Sequence, residues 1–222
     1  MVGDAILART ILALDTPNLG QACEWVQQYR ERVYAFKIGG ALAMGHGLPI
    51  VRMLREAGAT RVFLDLKFHD IPHAVALAVR QAAEFGVWML TLHCGGGSAM
   101  LQAARAAVAD LPSPPLLVGV TVLTSMDADA LREVGVPRTP RAQVLRLARL
   151  AHAAGLDGVI ASPWEARMLR RRLPPPFLIV TPGVRPAGYD AGDQKRVATP
   201  EQALQWGADY LVMGRALLQP KA

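Results

Sequence analysis

The chain has 222 residues, of which 52% are hydrophobic, and this predicts one sizeable domain spanning 1–222 rather than two small ones. Lysine and arginine number 24 against 18 aspartates and glutamates, a net charge of +6 that suits an anionic small substrate, while no zinc-finger spacing, RNP-like strand or basic repeat indicates a nucleic-acid partner. No apolar run approaches the roughly 18–20 residues of a membrane span, and no signal peptide is recognisable, so we expect a cytoplasmic protein.

Eight apolar, strand-like runs recur along the chain with helix-like segments between them. The runs are 11–15, 34–39, 61–67, 88–94, 115–123, 158–162, 177–183 and 210–215. Helical spacing or alanine-rich composition predicts helices over 19–32, 73–85, 98–109, 141–154, 164–173 and 200–206. Eight strand–helix units in a chain of this length predict a (β/α)8 TIM barrel of the α/β class. A doubly wound open sheet is the alternative, but no Gly-x-Gly-x-x-Gly follows the first run.

The third run carries charges that packing does not require. Asp65 and Lys67 lie two residues apart at its end, so the alternation of side chains along a strand places them on one face. Asp70 follows three residues after the lysine, and Pro72 fits the first turn of a helix. Buried charges are costly unless they pair. Proton transfer and electrostatic strain on a substrate, however, need such an arrangement, and this stretch therefore predicts a catalytic site.

Further polar residues stand at the ends of other strands. In a barrel the carboxyl ends of the strands form one mouth, where active sites lie. There, charges of alternating sign compensate one another in a low-dielectric site. Lysine is also the cation that changes protonation most readily when it is partly buried. The charged group predicted at this mouth consists of Asp15, Lys37, Asp65, Lys67 and Asp70.

A second polar group suits a phosphate. Gly214 and Arg215 end the eighth run and Arg185 follows the seventh, which is the usual phosphate site of such barrels. Glycine lets backbone N–H groups approach an anion, and arginine offers bidentate contacts. The polar segment 184–198 lies between the seventh run and the next helix, and we expect it to close over the substrate. An ordinary surface loop is the alternative.

A divalent metal is an alternative use of the acidic residues, because two aspartates and two histidines are close in sequence within 65–73. Lys67 lies among them, however, and Lys37 points at the same place, so cations already occupy the space. We therefore expect no metal. His69 and His73 are interpreted as helix-start or surface residues.

Several motifs, in chain order, resemble those of the bacterial orotidine 5′-phosphate decarboxylase family. The run Phe-Leu-Asp-Leu-Lys-Phe-His-Asp-Ile-Pro at 63–72 resembles the family signature. The resemblance extends over nearly the whole chain. It implies a cofactor-independent homodimeric barrel that converts orotidine 5′-monophosphate (OMP) to UMP and CO2, the last step of de novo pyrimidine nucleotide synthesis. The other matching stretches are 12–15, 36–39, 121–125, 181–185, 193–197 and 210–215.

The resemblance also implies a role for each site residue. Lys67 would donate the proton to C6 of the pyrimidine after CO2 leaves, and Asp65 would lie against the substrate carboxylate. Asp70 would complete the charged array from the other subunit, together with Lys37. The implied substrate contacts are Asp15 and Lys37 at the ribose, Thr124 in the same pocket, Ser125 at the pyrimidine, Gln194 between base and phosphate, and Arg185, Gly214 and Arg215 at the phosphate.

Two rival functions share parts of this pattern. Magnesium-dependent phosphosugar lyases and decarboxylases resembling 3-keto-L-gulonate 6-phosphate decarboxylase share Asp-x-Lys-x-x-Asp. They hold the metal partly through a carboxylate on the second strand, where this chain has Lys37, whose charge would repel it. A non-catalytic barrel would have lost a charged site residue, and all five are present. Departures from the family pattern at Cys94, at His73 and over 40–49 concern local packing.

Overall fold

A closed barrel of eight parallel strands forms the centre of the computed structural model, which describes residues 2–186 and 198–218. Each strand pairs with the next in chain order, and β8 pairs with β1. This confirms the predicted (β/α)8 barrel and excludes the open sheet. The strands are β1 (Thr10–Ala13), β2 (Ala35–Ile38), β3 (Val62–Phe68), β4 (Met89–His93), β5 (Leu116–Val120), β6 (Gly158–Ile160), β7 (Leu178–Thr181) and β8 (Tyr210–Met213).

Helices alternate with these strands and cover the outside of the barrel. All six predicted helices are present, and α5, α8, α9 and α10 each begin at a proline, whose fixed φ suits a first helical turn. The helices of the described ranges are α1 (Asp4–Leu7), α2 (Leu19–Tyr29), α3 (Gly40–His46), α4 (Ile50–Glu56), α5 (Pro72–Glu84), α6 (Gly97–Ala106), α7 (Ala128–Glu133), α8 (Pro140–Ala153), α9 (Pro163–Arg172), α10 (Pro200–Gln205) and α11 (Arg215–Leu218).

Five short helices were not predicted from the sequence. They are four to seven residues long, at most two turns, and so show no repeat of apolar spacing. The predicted strands were also too long at their carboxyl ends. Asp15, Leu123 and Arg215 lie beyond β1, β5 and β8, because the chain has already left the sheet to form the loops of the mouth.

Two apolar layers fill the molecule, one inside the barrel and one between strands and helices. At the amino end of the barrel, the rings of Tyr34, Trp88 and Tyr210 pack against one another with centroids 4.7–5.7 Å apart. The interior thus closes at this end. None of the helices in the described ranges has the length and apolar character needed to cross a bilayer.

The residues that face the barrel axis are apolar within the strands and become polar at the carboxyl end. Because every second residue of a strand faces inward, the residue two beyond an apolar interior position also faces the barrel axis. The polar residues reached in this way are Asp15 after Ala13, Lys37 after Ala35, Asp65 after Phe63 and Thr91 after Met89. The fold therefore gathers these interior polar side chains at the carboxyl end of the barrel.

Candidate active site

A cavity of about 310 Å³ opens at the carboxyl end of the barrel. Its apolar wall includes Val120, Val122, Ile160 and Val212, and its volume lies in the range of small-molecule sites. Nine of the residues singled out from the sequence line it: Asp15, Lys37, Asp65, Lys67, Thr124, Ser125, Arg185, Gly214 and Arg215. The structure therefore brings four of the five predicted charged residues, and the three residues predicted to bind phosphate, to one cavity.

Four charged side chains form a continuous array of alternating sign on one wall. Lys37 Nζ lies 3.3 Å from Asp15 Oδ1 and 3.6 Å from Asp65 Oδ2, and Lys67 Nζ lies 3.0 Å from Asp65 Oδ1. The two central side chains, Lys37 and Asp65, are only 10% and 16% exposed, whereas that of Lys67 is 40% exposed. Each buried charge has a partner of opposite sign, which offsets its desolvation. Lys67 presents the more accessible ammonium to the cavity.

The backbone of β3 is irregular where it supplies the catalytic candidates. Its pairing with β4 is regular up to Leu64 and resumes at Phe68, so residues 65–67 lie opposite the single residue Thr91. Lys67 has a φ of 52°, and among the described residues it is the one non-glycine with positive φ. Bulges next to active sites redirect side chains. The predicted strand and the proximity of Asp65 to Lys67 are confirmed, but the regular side-chain alternation from which that proximity was inferred is interrupted at 65–67.

Thr91 is a site residue that the sequence reasoning missed. Its side chain is buried, its Oγ1 accepts a hydrogen bond from Lys67 N at 2.8 Å, and the same oxygen donates to Asp65 Oδ1 at 3.1 Å. The available signal was a hydroxyl side chain in the otherwise apolar stretch 89–92.

Where β8 meets β1, next to Asp15, Gly214 allows the ends of the two strands to lie close together. A Cβ on Gly214 would lie 3.3 Å from Ala13 Cβ and 3.4 Å from Asp15 Oδ2, so a larger residue would crowd the end of β1. Arg215 follows directly at the start of α11, and Arg185 enters the same cavity from the loop after β7. This rim combines backbone and guanidinium donors, the groups that bind phosphate.

Comparison with known proteins agrees with this geometry. A model of the "Orotidine 5'-phosphate decarboxylase / HUMPS family" matches residues 8–222. The chain belongs to this family. A Nitrosococcus oceani protein named orotidine 5′-phosphate decarboxylase is 50% identical over 210 residues, which cover 95% of this chain and 90% of that protein. A Moorella thermoacetica protein of the same name is 52% identical over 215 residues, covering 94% of this chain and 85% of that protein.

A solved structure shares the fold as well. The crystal structure of orotidine 5′-phosphate decarboxylase from Lactobacillus acidophilus has a TM-score of 0.81 to this chain at 35% identity. The match covers 94% of this chain and 90% of that one. The resemblance read from the motifs is thereby confirmed over the full barrel, beyond the signature at 63–72.

One residue of the family pattern does not line this cavity, and another lies outside the residues that the structure describes. Asp70 is exposed in the loop before α5, where its Oδ1 accepts a hydrogen bond from Ile71 N at 2.6 Å, and it is not among the residues that line the cavity. Gln194 lies outside the described residues, as does most of the predicted closing segment 184–198.

The histidines near the signature lie beside the site rather than in it. His69 and His73 are exposed, as predicted. The ring of His69 stacks on that of His93 at 4.9 Å, and His93 Nδ1 accepts a hydrogen bond from Gly95 N at 3.2 Å. Burial, followed by the charges of His69 and Lys67, lowers the pKa of His93 below its usual value of 6.5. The hydrogen bond from Gly95 N also requires a neutral ring, because Nδ1 can accept it only without a proton of its own.

Proposed function

We propose that this chain is an orotidine 5′-phosphate decarboxylase, which converts OMP to UMP and CO2. The observation that carries the proposal is the alternating array Asp15–Lys37–Asp65–Lys67 at the mouth of the barrel. The arginine rim of the same cavity and the curated relatives that bear this name support it.

The array suits a reaction that passes through an unstabilised carbanion. The bond between C6 and the carboxylate breaks, CO2 leaves, and the electron pair stays on C6. The ammonium of Lys67, already placed in the cavity, stabilises that negative charge electrostatically. Lys67 Nζ then transfers a proton to C6 as the general acid, and the resulting amine is reprotonated from solvent. Asp65, 3.0 Å from Nζ, holds the ammonium and presents its own negative charge to the substrate carboxylate.

The remaining residues bind the parts of OMP that do not react. Asp15 and Lys37 would hold ribose hydroxyls, and Thr124 would line the same pocket. Ser125 would contact the pyrimidine, and Gln194 would bridge the base and the phosphate. The phosphate would bind Arg185, Gly214 and Arg215. Binding energy from this remote group can offset the cost of placing a carboxylate beside Asp65. Closure of segment 184–198 over the phosphate would exclude water.

The same proposal includes a cytoplasmic homodimer that needs neither metal nor organic cofactor. The partner subunit's Asp70 would complete the charged array. In its own chain Asp70 is exposed outside the cavity. Ile71, next to it in sequence, and Leu77, in the following helix α5, are large, apolar and exposed. A second copy that covers this surface would bury apolar area and bring a carboxylate to the mouth.

The activity is tested by incubating the purified protein with OMP and EDTA and following ultraviolet absorbance. We expect conversion to UMP at the same rate with EDTA as with added magnesium. Absence of conversion would refute the proposal. A strict requirement for magnesium would favour the phosphosugar-type relatives, although Lys37 fills the second-strand position where those proteins place a metal-binding carboxylate.

Sharing of the site between subunits is tested with two inactive variants. Asp70→Ala and Lys67→Ala damage different subunits' contributions to one site, so a mixed dimer should contain one intact site. We expect mixing to restore up to about a quarter of wild-type activity per subunit, because half the dimers are mixed and each has one intact site of two. No recovery, with subunit exchange demonstrated by tagged chains, would show that Asp70 does not act across the interface.

A further inference from the structure

We propose that Thr91 is a positioning residue for the proton donor: its hydroxyl fixes both the backbone of Lys67 and the carboxylate of Asp65. This inference rests on the proposed decarboxylase function and assigns a role within the same site. Thr91 is not proposed to touch the substrate. It acts through Lys67 and Asp65, the two residues that would.

The position of Thr91 in the sheet makes this role possible. Three residues of β3, 65–67, lie opposite Thr91 alone, so the regular ladder cannot satisfy every backbone N–H of the bulge. The N–H of Lys67 donates instead to Thr91 Oγ1 at 2.8 Å. A side-chain oxygen thus replaces a backbone carbonyl at the residue whose φ of 52° is unfavourable for a side chain.

The direction of both hydrogen bonds follows from chemistry. A backbone N–H can only donate, so Thr91 Oγ1 is the acceptor from Lys67. An ionised carboxylate can only accept, so the hydroxyl proton of Thr91 points to Asp65 Oδ1 at 3.1 Å. Thr91 is fully buried, and its hydroxyl therefore has no access to bulk water as a substitute partner.

These contacts form a closed ring of hydrogen bonds that holds Lys67 both at its backbone N–H and at its ammonium group. Its backbone N–H bonds Thr91, Thr91 bonds Asp65 Oδ1, and the same Oδ1 lies 3.0 Å from Lys67 Nζ. An ammonium that is 40% exposed at the end of a long side chain is thereby held at one place in the cavity. Small displacements of a catalytic group cost rate steeply, because the reacting atoms must approach closely.

The alternative is that Thr91 is a buried threonine that only stabilises the barrel. Thr10 is a matched control, because it is fully buried on β1 and its Oγ1 donates to Ile6 O at 2.8 Å, away from the cavity. Valine has nearly the shape of threonine without the hydroxyl. Comparing Thr91→Val with Thr10→Val therefore separates loss of a buried hydrogen bond from loss of positioning.

We expect Thr91→Val to lower kcat by about 10- to 100-fold, since it removes a hydrogen bond to a charged group and leaves the Lys67 N–H unsatisfied. KM for OMP should change less than about 3-fold, because ribose and phosphate contacts remain. Thr91→Ser should retain kcat within about 3-fold, and Thr10→Val should keep wild-type kcat. If Thr91→Val fails to fold, Thr91→Ala carries the same test. Wild-type kcat in the variant without the hydroxyl, or equal losses in the Thr91 and Thr10 variants, would overturn the proposal.

A second readout needs no substrate. The chain has four lysines, so labelling lysine with 15N at the backbone amide gives four amide signals, and Lys67→Arg identifies one of them. We expect slow hydrogen exchange at Lys67 in the wild type and in Thr91→Ser. Exchange should be at least about 10-fold faster in Thr91→Val, with Lys37 unchanged. An unprotected Lys67 amide in the wild type would refute the inference. Failure of the wild type to convert OMP would instead refute the proposed function, whatever the exchange shows.

Discussion

The two ends of the barrel use carboxylates in opposite ways. At the amino end, Asp209 precedes β8 and accepts a hydrogen bond from Ile179 N of β7 at 2.7 Å and one from Arg170. Asp157, which precedes β6, likewise accepts hydrogen bonds from Leu117 N and from Arg105. These carboxylates fasten neighbouring strands through the backbone. They hold neighbouring strands at a fixed spacing and take no part in the chemistry.

At the carboxyl end, Asp65 is held by side chains instead. Its two oxygens face the ammonium groups of Lys37 and Lys67 and the hydroxyl of Thr91, and the group lines an open cavity. These paired charges therefore lie beside a space for a ligand rather than between strands. The comparison predicts that changes at the carboxyl end cost activity and changes at the amino end cost stability.

The largest effect is expected at Lys67. Lys67→Ala removes both the proton donor and the charge that stabilises the carbanion, so kcat should fall by at least about 10⁴-fold. The circular-dichroism spectrum should remain that of the wild type. A variant that decarboxylates OMP at near wild-type rate would show that Lys67 is not the donor.

The backbone of Lys67 gives this test a matched control. With a φ of 52°, glycine is favoured there over alanine, so Lys67→Gly should be more stable than Lys67→Ala by about 1 kcal/mol in urea unfolding. Both variants should be equally inactive. Equal stability of the two would mean that the positive φ relaxes once the lysine is gone.

At the amino end, Asp209→Ala should lower stability and leave activity unchanged. It leaves the Ile179 N–H and part of the Arg170 guanidinium without their partner, at a cost of about 2–3 kcal/mol. The melting temperature should fall by about 5–10 °C, with kcat and KM of the folded enzyme unchanged. A large loss of kcat without loss of stability would break the division between the two ends.

The smallest effect concerns pH and His93, which lies beside the mouth. Because its pKa is lowered in the folded protein, the unfolded state takes up the proton first as pH falls. The stabilisation from the neutral ring is therefore complete above pH 6.5 and is lost as pH falls from there through the lowered pKa. His93→Asn keeps an acceptor for Gly95 N without titrating there, so its free energy of unfolding should depend less on pH between 7.5 and 5.5. An unchanged pH dependence would contradict this.

The sequence predicted most of what side-chain alternation and chain order determine. Eight apolar runs gave the barrel, and residues at their ends gave nine of the cavity residues, because parallel strands bring their carboxyl ends together. The bulge at 65–67 was not predictable, since a regular and a bulged strand have the same local sequence pattern. Thr91 was missed for the same reason: its role depends on the register between β3 and β4. Short helices such as α3 have too few turns for periodicity to show.

The proposal that Lys67 protonates C6 of OMP is tested most directly by turnover in D2O with EDTA, followed by proton NMR. The exchangeable protons of Lys67 are then deuterons, so we expect OMP to disappear and UMP to form with deuterium at C6, at a rate that Lys67→Ala abolishes. Persistence of OMP, or formation of UMP by Lys67→Ala as fast as by the wild type, would contradict the assignment of the reaction and of its proton donor.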